Sequence, residues 1–365
     1  MILWLPALLL AWTHALYGAA LRLLPARPLR EAAITPRVSL IVAAYAEEPV
    51  IGLKVANALA LDYPRERLEV IVACDGSPDR TAEIARHAGA DLVLELPRGG
   101  KIRAQDAAVQ AAGGEIVAFS DANALWAPDA LRELVKPFAD PEVGYVCGQV
   151  SFVDPEGGGN QEGLYWRYEM SLRALESSRW SVTAGNGAIY ATRKADYLVV
   201  DEVMGHDLSF PFNFVKRGRR AVYAPAARAT ERMVPTVEGE YARKRRMMSH
   251  AWPIVVRGGL LDPRGYPPVY AGMIASHRAL RYGSPLLHAW LLLASLLLAP
   301  VSRSARLLLA AQLALVLAAT AGRSAGRAGL VARYYVLTTA SIAGGLLDWV
   351  RHGTPAGWEP PEGTR

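Results

Sequence analysis

The sequence predicts an α/β domain of Rossmann-like type carried on transmembrane α-helices, and three observations predict it. Short β-branched runs recur between residues 38 and 120, separated by segments of helical spacing. Strands alternating with helices make βαβ units joined by right-handed crossovers. Those runs are apolar at nearly every position, as in strands buried on both faces of a parallel sheet. Finally, the apolar stretches at 2–25 and beyond residue 284 approach or reach the length of a membrane-spanning helix.

Composition agrees with this division. Of 365 residues, 52% are apolar and 20% charged, and the apolar excess sits at the two ends. The net charge of +6 comes largely from arginines beside apolar runs. That pattern reads as juxtamembrane charge and not as a nucleic-acid surface. Cys74 and Cys147 both fall in expected buried strands, which gives neither a disulfide framework nor a metal spacing and suits a reducing compartment.

The elements follow in order. Residues 1–26 form a membrane helix; Pro25 and Pro28 end it, and Arg22, Arg27 and Arg30 mark its cytoplasmic side. The cytoplasmic domain occupies 36–265. A strand at 38–45 ends at Ala46-Glu47-Glu48, a strand at 68–74 ends at Asp75, and a strand at 115–120 ends at Asp121-Ala122-Asn123. Helices at 50–61 and 81–88 connect them. A third strand at 91–96 leads into a helix opened by Arg98-Gly99-Gly100-Lys101 and closed by Gly113-Gly114. In a parallel sheet the carboxyl ends of the strands share one edge, where ligands bind, so Asp75 and Asp121 are expected in one crevice.

The second half reads as a helix at 128–138, a strand at 143–153, a loop at 155–159 and a helix at 162–179. Residues 182–192 hold Gly185-Asn186-Gly187 and a short strand; a helix follows Gly205-His206-Asp207. An amphipathic helix at 266–283, carrying His277, Arg278 and Arg281, is expected in the membrane interface. About three membrane helices follow within 284–351, then a tail at 352–365. Arg323, Arg327 and Arg333 border the last apolar run, and together with the first three arginines they put both chain ends outside.

Asp121 and Asn123 place two side-chain oxygens two positions apart, a hard donor set suited to Mn²⁺ or Mg²⁺ shared with substrate phosphates. Taken together, the motifs resemble family 2 glycosyltransferases of GT-A fold. They are Ile41-Val42-Ala43-Ala44-Tyr45-Ala46-Glu47-Glu48, Asp75-Gly76-Ser77-Pro78-Asp79-Arg80-Thr81, Gly100-Lys101, Asp121-Ala122-Asn123, Gly205-His206-Asp207 and the basic block from Arg243 to Met247. The resemblance implies a nucleotide site at Ala44, Tyr45, Glu47, Asp75, Lys101 and Asp121, with metal at Asp121 and Asn123. It implies Asp207 as catalytic base, and Gly185, Asn186, Gly187, His206, Arg243 and Arg246 around acceptor or diphosphate. The implied donor is a nucleotide sugar, a UDP-sugar first; the acceptor is a lipid or glycan, and the place is the inner face of a plasma membrane.

This chain departs from the family pattern. Asn123 replaces an aspartate, Ala46 and Asp106 stand where asparagine is common, and Met247 stands where polymer-making members carry tryptophan. A processive polysaccharide synthase is therefore the second reading, and a non-catalytic nucleotide-binding scaffold the third. Glu169 and Glu176 are the reserve candidates for the base.

Overall fold

The computed structural model describes residues 1–153, 163–232 and 237–355. The loop expected at 155–159 lies outside the described residues, as does the tail beyond 355. The chain starts with α1 (Trp4–Leu23), which contains one π-helical stretch at Trp12–Leu16. The domain then runs β1 (Val38–Ala44), α2 (Glu48–Leu59), β2 (Leu68–Asp75), α3 (Thr81–His87), β3 (Leu92–Leu96), α4 (Lys101–Ala111), β4 (Ile116–Asp121), β5 (Leu125–Trp126) and α5 (Ala130–Val135). It continues as β6 (Val143–Val153), α6 (Gly163–Arg179), β7 (Tyr190–Arg193), α7 (His206–Lys216), β8 (Arg220–Arg232) and α8 (Val237–Val256).

The eight strands form one sheet in the order β3-β2-β1-β4-β7-β6-β8-β5. β3, β2, β1 and β4 are parallel, as their apolar runs require. All seven residues of β1 are buried; Val38 and Leu40 face one core, Ile41 and Ala43 the other. The second half is mixed, because β7 runs antiparallel to both β4 and β6. β8 escaped sequence reading. It is rich in alanine and carries Pro225, both poor strand signals. Pairing with β6 makes it a strand, and the register shifts between Cys147 and Gln149, where β8 advances from Tyr223 to Arg228 past the proline.

Beyond the sheet, Pro268–Met273, a π-helical turn at Ile274–Ala279 and Leu280–Tyr282 run on as α9. α10 (Ser284–Leu298), α11 (Arg303–Ala321) and α12 (Gly326–His352) follow. Among the described residues, α1, α11 and α12 are long and apolar enough to cross a membrane; α10 has 15 residues. Two expectations change here. α9 turns His277 and Arg281 inward, at 1% and 9% exposure, against Glu169 and Glu176 of α6, so they meet buried carboxylates and not lipid headgroups. The far half of α12 lies on α8. Trp252 donates to the Ile342 carbonyl at 3.0 Å, Arg245 grips Asp348 with two bonds of 2.6 Å, and Thr354 donates to the Ser249 carbonyl. Residues 348–354 therefore lie against the basic helix α8, where the arginine pattern set this end of the chain apart from the domain.

Candidate active site at the carboxyl edge of the sheet

The site begins where β1 and β2 end. The two turns are knitted together: the Glu47 N–H donates to Thr81 Oγ1 at 2.9 Å, the Ala46 N–H to Ser77 Oγ at 3.2 Å, and the Glu48 N–H to Asp79 Oδ2 at 3.1 Å. Ala46 holds φ 52°, the left-handed region that favours asparagine or glycine. Asp75, 1% exposed, accepts from the N–H of Gly99 at 2.6 Å and of Gly100 at 2.9 Å, and from Arg98 Nη1 at 2.8 Å. Gly100 makes that approach at φ 96°, which a side chain would resist. The Arg98 guanidinium then lies 3.3 Å from the centre of the Tyr45 ring. The carboxylate of Asp75, expected in the nucleotide site, is bonded to the loop that opens α4, and Arg98 and Tyr45 form the adjoining surface.

At the centre, Lys101 from the first turn of α4 pairs its ammonium with Asp121 at the end of β4. Gly187 lies against both: a Cβ there would sit 3.5 Å from Lys101 Nζ and 3.6 Å from Asp121 Oδ2. Asp207 enters from the first turn of α7, and its carbonyl accepts from the Gly185 N–H at 2.7 Å. Burial raises the Asp207 pKa above the ordinary carboxylate value; the nearby Lys101 charge pulls it down, and Asp121 pushes it up again. Burial lowers the Lys101 pKa, but Asp121 and then Asp207 outweigh it, so the lysine stays charged above its ordinary range. Lys101 is thus ion-paired with Asp121 and also feels the charge of Asp207, from the other half of the sequence. A desolvated carboxylate beside opposite and like charges is the kind of group from which acid–base catalysts are drawn.

The donor set at Asp121 fits a divalent cation of one kind. Asn123 is half-buried and its side chain has no hydrogen-bond partner among the described residues. Among the described residues no group of three or more His, Cys, Asp or Glu could hold a metal. One carboxylate and one amide oxygen suit a cation completed by phosphate oxygens and water, not a protein cage.

Other expected site residues have partners of their own within the fold. His206 is 3% exposed, stacks on Phe210 with ring centres 3.9 Å apart and bonds Tyr190 Oη through Nδ1 at 2.8 Å. Burial, with the Lys101 charge, holds its pKa well below the usual value. Its ring lies among aromatic side chains, with Nε2 buried and without a hydrogen-bond partner. Asn186 bonds the Gly148 carbonyl and the Ile189 N–H, so it shapes the turn. Gly185 is there for space, since a Cβ would collide with the Tyr145 hydroxyl. In the basic block, Arg245 goes to Asp348 and Lys244 lies over Tyr334, both on α12. Arg243 lies over Phe152, the sheet partner of Glu231, whose charge is felt at Lys101; Arg246 gives its carbonyl to Ser249 and His250.

The reserve bases are also committed. Glu176 accepts from Thr183 N–H, Tyr17 Oη at 2.9 Å and His277 Nδ1 at 2.6 Å; Glu169 pairs with Arg281. Burial would raise both acids, but His277 beside Glu176 and Arg281 beside Glu169 hold them below the carboxylate range. Trp166 and Trp252 donate to backbone carbonyls in the core. Sequence reading missed Arg98 and Lys54. The signal for Lys54 was a lysine at a stripe position among Ile51, Val55 and Ala58.

Comparison with known proteins places the chain among glycosyltransferases. The profile described as Glycosyl transferase family 2 matches residues 39–196. A beta-monoglucosyldiacylglycerol synthase of Synechocystis sp. is 34% identical over 213 residues, 51% of this chain and 42% of that protein. An N-acetylglucosaminyltransferase of Bradyrhizobium elkanii is 31% identical over 124 residues, 32% of this chain and 68% of that protein. In its longest alignments the chain spans about half the length of the curated relatives it matches. A solved mannosyltransferase from Pyrobaculum calidifontis, in complex with GDP-Man and Mn²⁺, superposes with a TM-score of 0.73 at 25% identity, covering 96% of this chain and 99% of that one.

Proposed function

Because this chain belongs to glycosyl transferase family 2, we propose that it moves one sugar from a nucleotide-sugar donor to the hydroxyl of a lipid or glycan acceptor at the membrane face, with Asp207 as general base. The observation that carries this reading is the Lys101–Asp121 ion pair, with Asp207 near enough for their charges to act on its carboxylate. The acceptor oxygen attacks the anomeric carbon, its proton passes to Asp207, and the bond to the diphosphate breaks with inversion at the sugar. Lys101 stands where negative charge grows on the leaving diphosphate. A divalent cation, Mn²⁺ or Mg²⁺, held by Asp121 and Asn123 would supply Lewis-acid stabilisation of that same charge.

The membrane acceptor has support within the chain. Glu176 joins Tyr17 of the membrane helix to Thr183, two residues before Gly185 in the site loop. UDP-sugars are the first donor reading. GDP-mannose is the second, favoured by the likeness over 96% of this chain to the mannosyltransferase solved with GDP-Man. The test is a panel of UDP- and GDP-sugars with the detergent-solubilised chain, Mn²⁺, and either diacylglycerol or an oligosaccharide. One donor class should release nucleoside diphosphate together with a glycosylated product of inverted configuration. A ladder of products would favour the polymer-making alternative, and no release from any pair would end the proposal.

The proposed topology has the domain in the cytoplasm of a multi-pass protein, α1 entering from outside and residues 348–354 on the cytoplasmic side with α8. A cysteine at Ile2, which is exposed, should react with an impermeant maleimide in intact cells. One at Gly353 should react only after permeabilisation; Cys74 and Cys147 are buried and give little background. Labelling of residue 353 in intact cells would reverse the assignment.

A further inference from the structure

Lys54 is fully buried on α2, among Ile51, Val55 and Ala58. Placing an ammonium there is unfavourable unless it gains specific partners. Its Nζ donates to the Ala124 carbonyl at 2.7 Å and lies 5.2 Å from the centre of the Trp126 ring. One turn further along α2, Asn57 donates from Nδ2 to the Trp126 carbonyl and accepts from the Trp126 N–H, both at 2.9 Å. Three hydrogen bonds from one helix therefore hold residues 124–126, which follow directly on Asp121-Ala122-Asn123. From the opposite side, Trp126 Nε1 and Ser120 Oγ both donate to the Ala188 carbonyl, at 3.0 and 3.1 Å, tying the turn to the Gly187 loop.

We propose that Lys54 is a positioning residue for the diphosphate-binding turn: with Asn57 it fixes the backbone after Asn123, and so sets the direction of the Asp121 and Asn123 oxygens from behind. This rests on the nucleotide-sugar reading above. Burial lowers the Lys54 pKa to about 7, with Asp121 and Glu231 opposing that fall. A neutral amine donates to a carbonyl as an ammonium does, so the hold on Ala124 persists across the neutral range. The sense of the effect follows from metal sites in general, where residues supporting the ligands change affinity by roughly 10–100-fold.

The test measures Mn²⁺ binding by electron paramagnetic resonance in the presence of GDP or of UDP, on wild type, Lys54→Met and Asn57→Ala, well below each unfolding midpoint. Lys54→Met should weaken Mn²⁺ binding about tenfold, and Asn57→Ala several-fold in the same direction. The KM for donor should rise more than kcat falls at saturating Mn²⁺. A purely structural lysine would lower the unfolding midpoint and leave Mn²⁺ affinity unchanged. Wild-type affinity in a folded Lys54→Met overturns the proposal. If that variant does not fold, wild-type affinity in Asn57→Ala overturns it instead. Wild type that binds no Mn²⁺ with either diphosphate would bring down the nucleotide-sugar reading itself, and this inference with it.

Discussion

Asp207→Asn should bind the nucleoside diphosphate as wild type does and lose sugar transfer by roughly 10²–10⁴-fold, the usual contribution of general-base catalysis. The amide keeps the shape of the carboxylate but accepts no proton. Stability separates this outcome from a folding defect. Burial raises the Asp207 pKa above its unfolded value. A group shifted in that direction contributes stability that is present below the unfolded pKa and is lost as pH rises through the folded one. At neutral pH the ionised carboxylate is therefore a cost, and Asp207→Asn should unfold at the same temperature as wild type or higher. In wild type the acidic limb of kcat/KM should lie above the ordinary aspartate pKa of about 3.9. Transfer within a few-fold of wild type, in a variant that binds donor normally, would remove Asp207 from the mechanism.

Asp121→Ala should abolish the stimulation of transfer by Mn²⁺ and lower kcat/KM by at least roughly 10²-fold, since it removes the carboxylate proposed as a ligand. A second consequence follows from the charges. Asp121 now pairs with Lys101 and pushes the Asp207 pKa upward. Without it, Lys101 faces Asp207 alone, so the acidic limb of the residual activity should move to lower pH. Calorimetry with the diphosphate, with and without Mn²⁺, together with the pH profile, reads both effects. Retained Mn²⁺ stimulation would place the cation away from Asp121. An unmoved acidic limb would break the proposed coupling through Lys101.

The sequence by itself determined the first half of the domain. Val38, Leu68 and Ile116 open runs apolar enough to require burial on both faces, and such runs form parallel strands whose carboxyl ends share an edge. That is why Asp75 and Asp121 are expected in one crevice, and why the family was recognisable from ordered motifs. The apolar run of α1 was equally legible, because length and hydropathy are local properties.

Tertiary structure decided which charged groups meet, because spacing records a residue's local environment and not its partner from a distant element. Asp75 and Asp121 look alike as acids at strand ends, yet one is bonded to the loop at Arg98 and the other faces Lys101 and Asp207. His206 and Asp207 are adjacent in sequence, but successive residues of a helix point about 100° apart; one enters an aromatic core and the other comes under the charges of Lys101 and Asp121. β8 exists because β6 offers it a ladder. α12 has the hydropathy of a membrane span, but its far half lies on α8, held there by Arg245, Trp252 and Ser249. In each case the deciding free energy belongs to a contact between elements, which residue spacing does not encode.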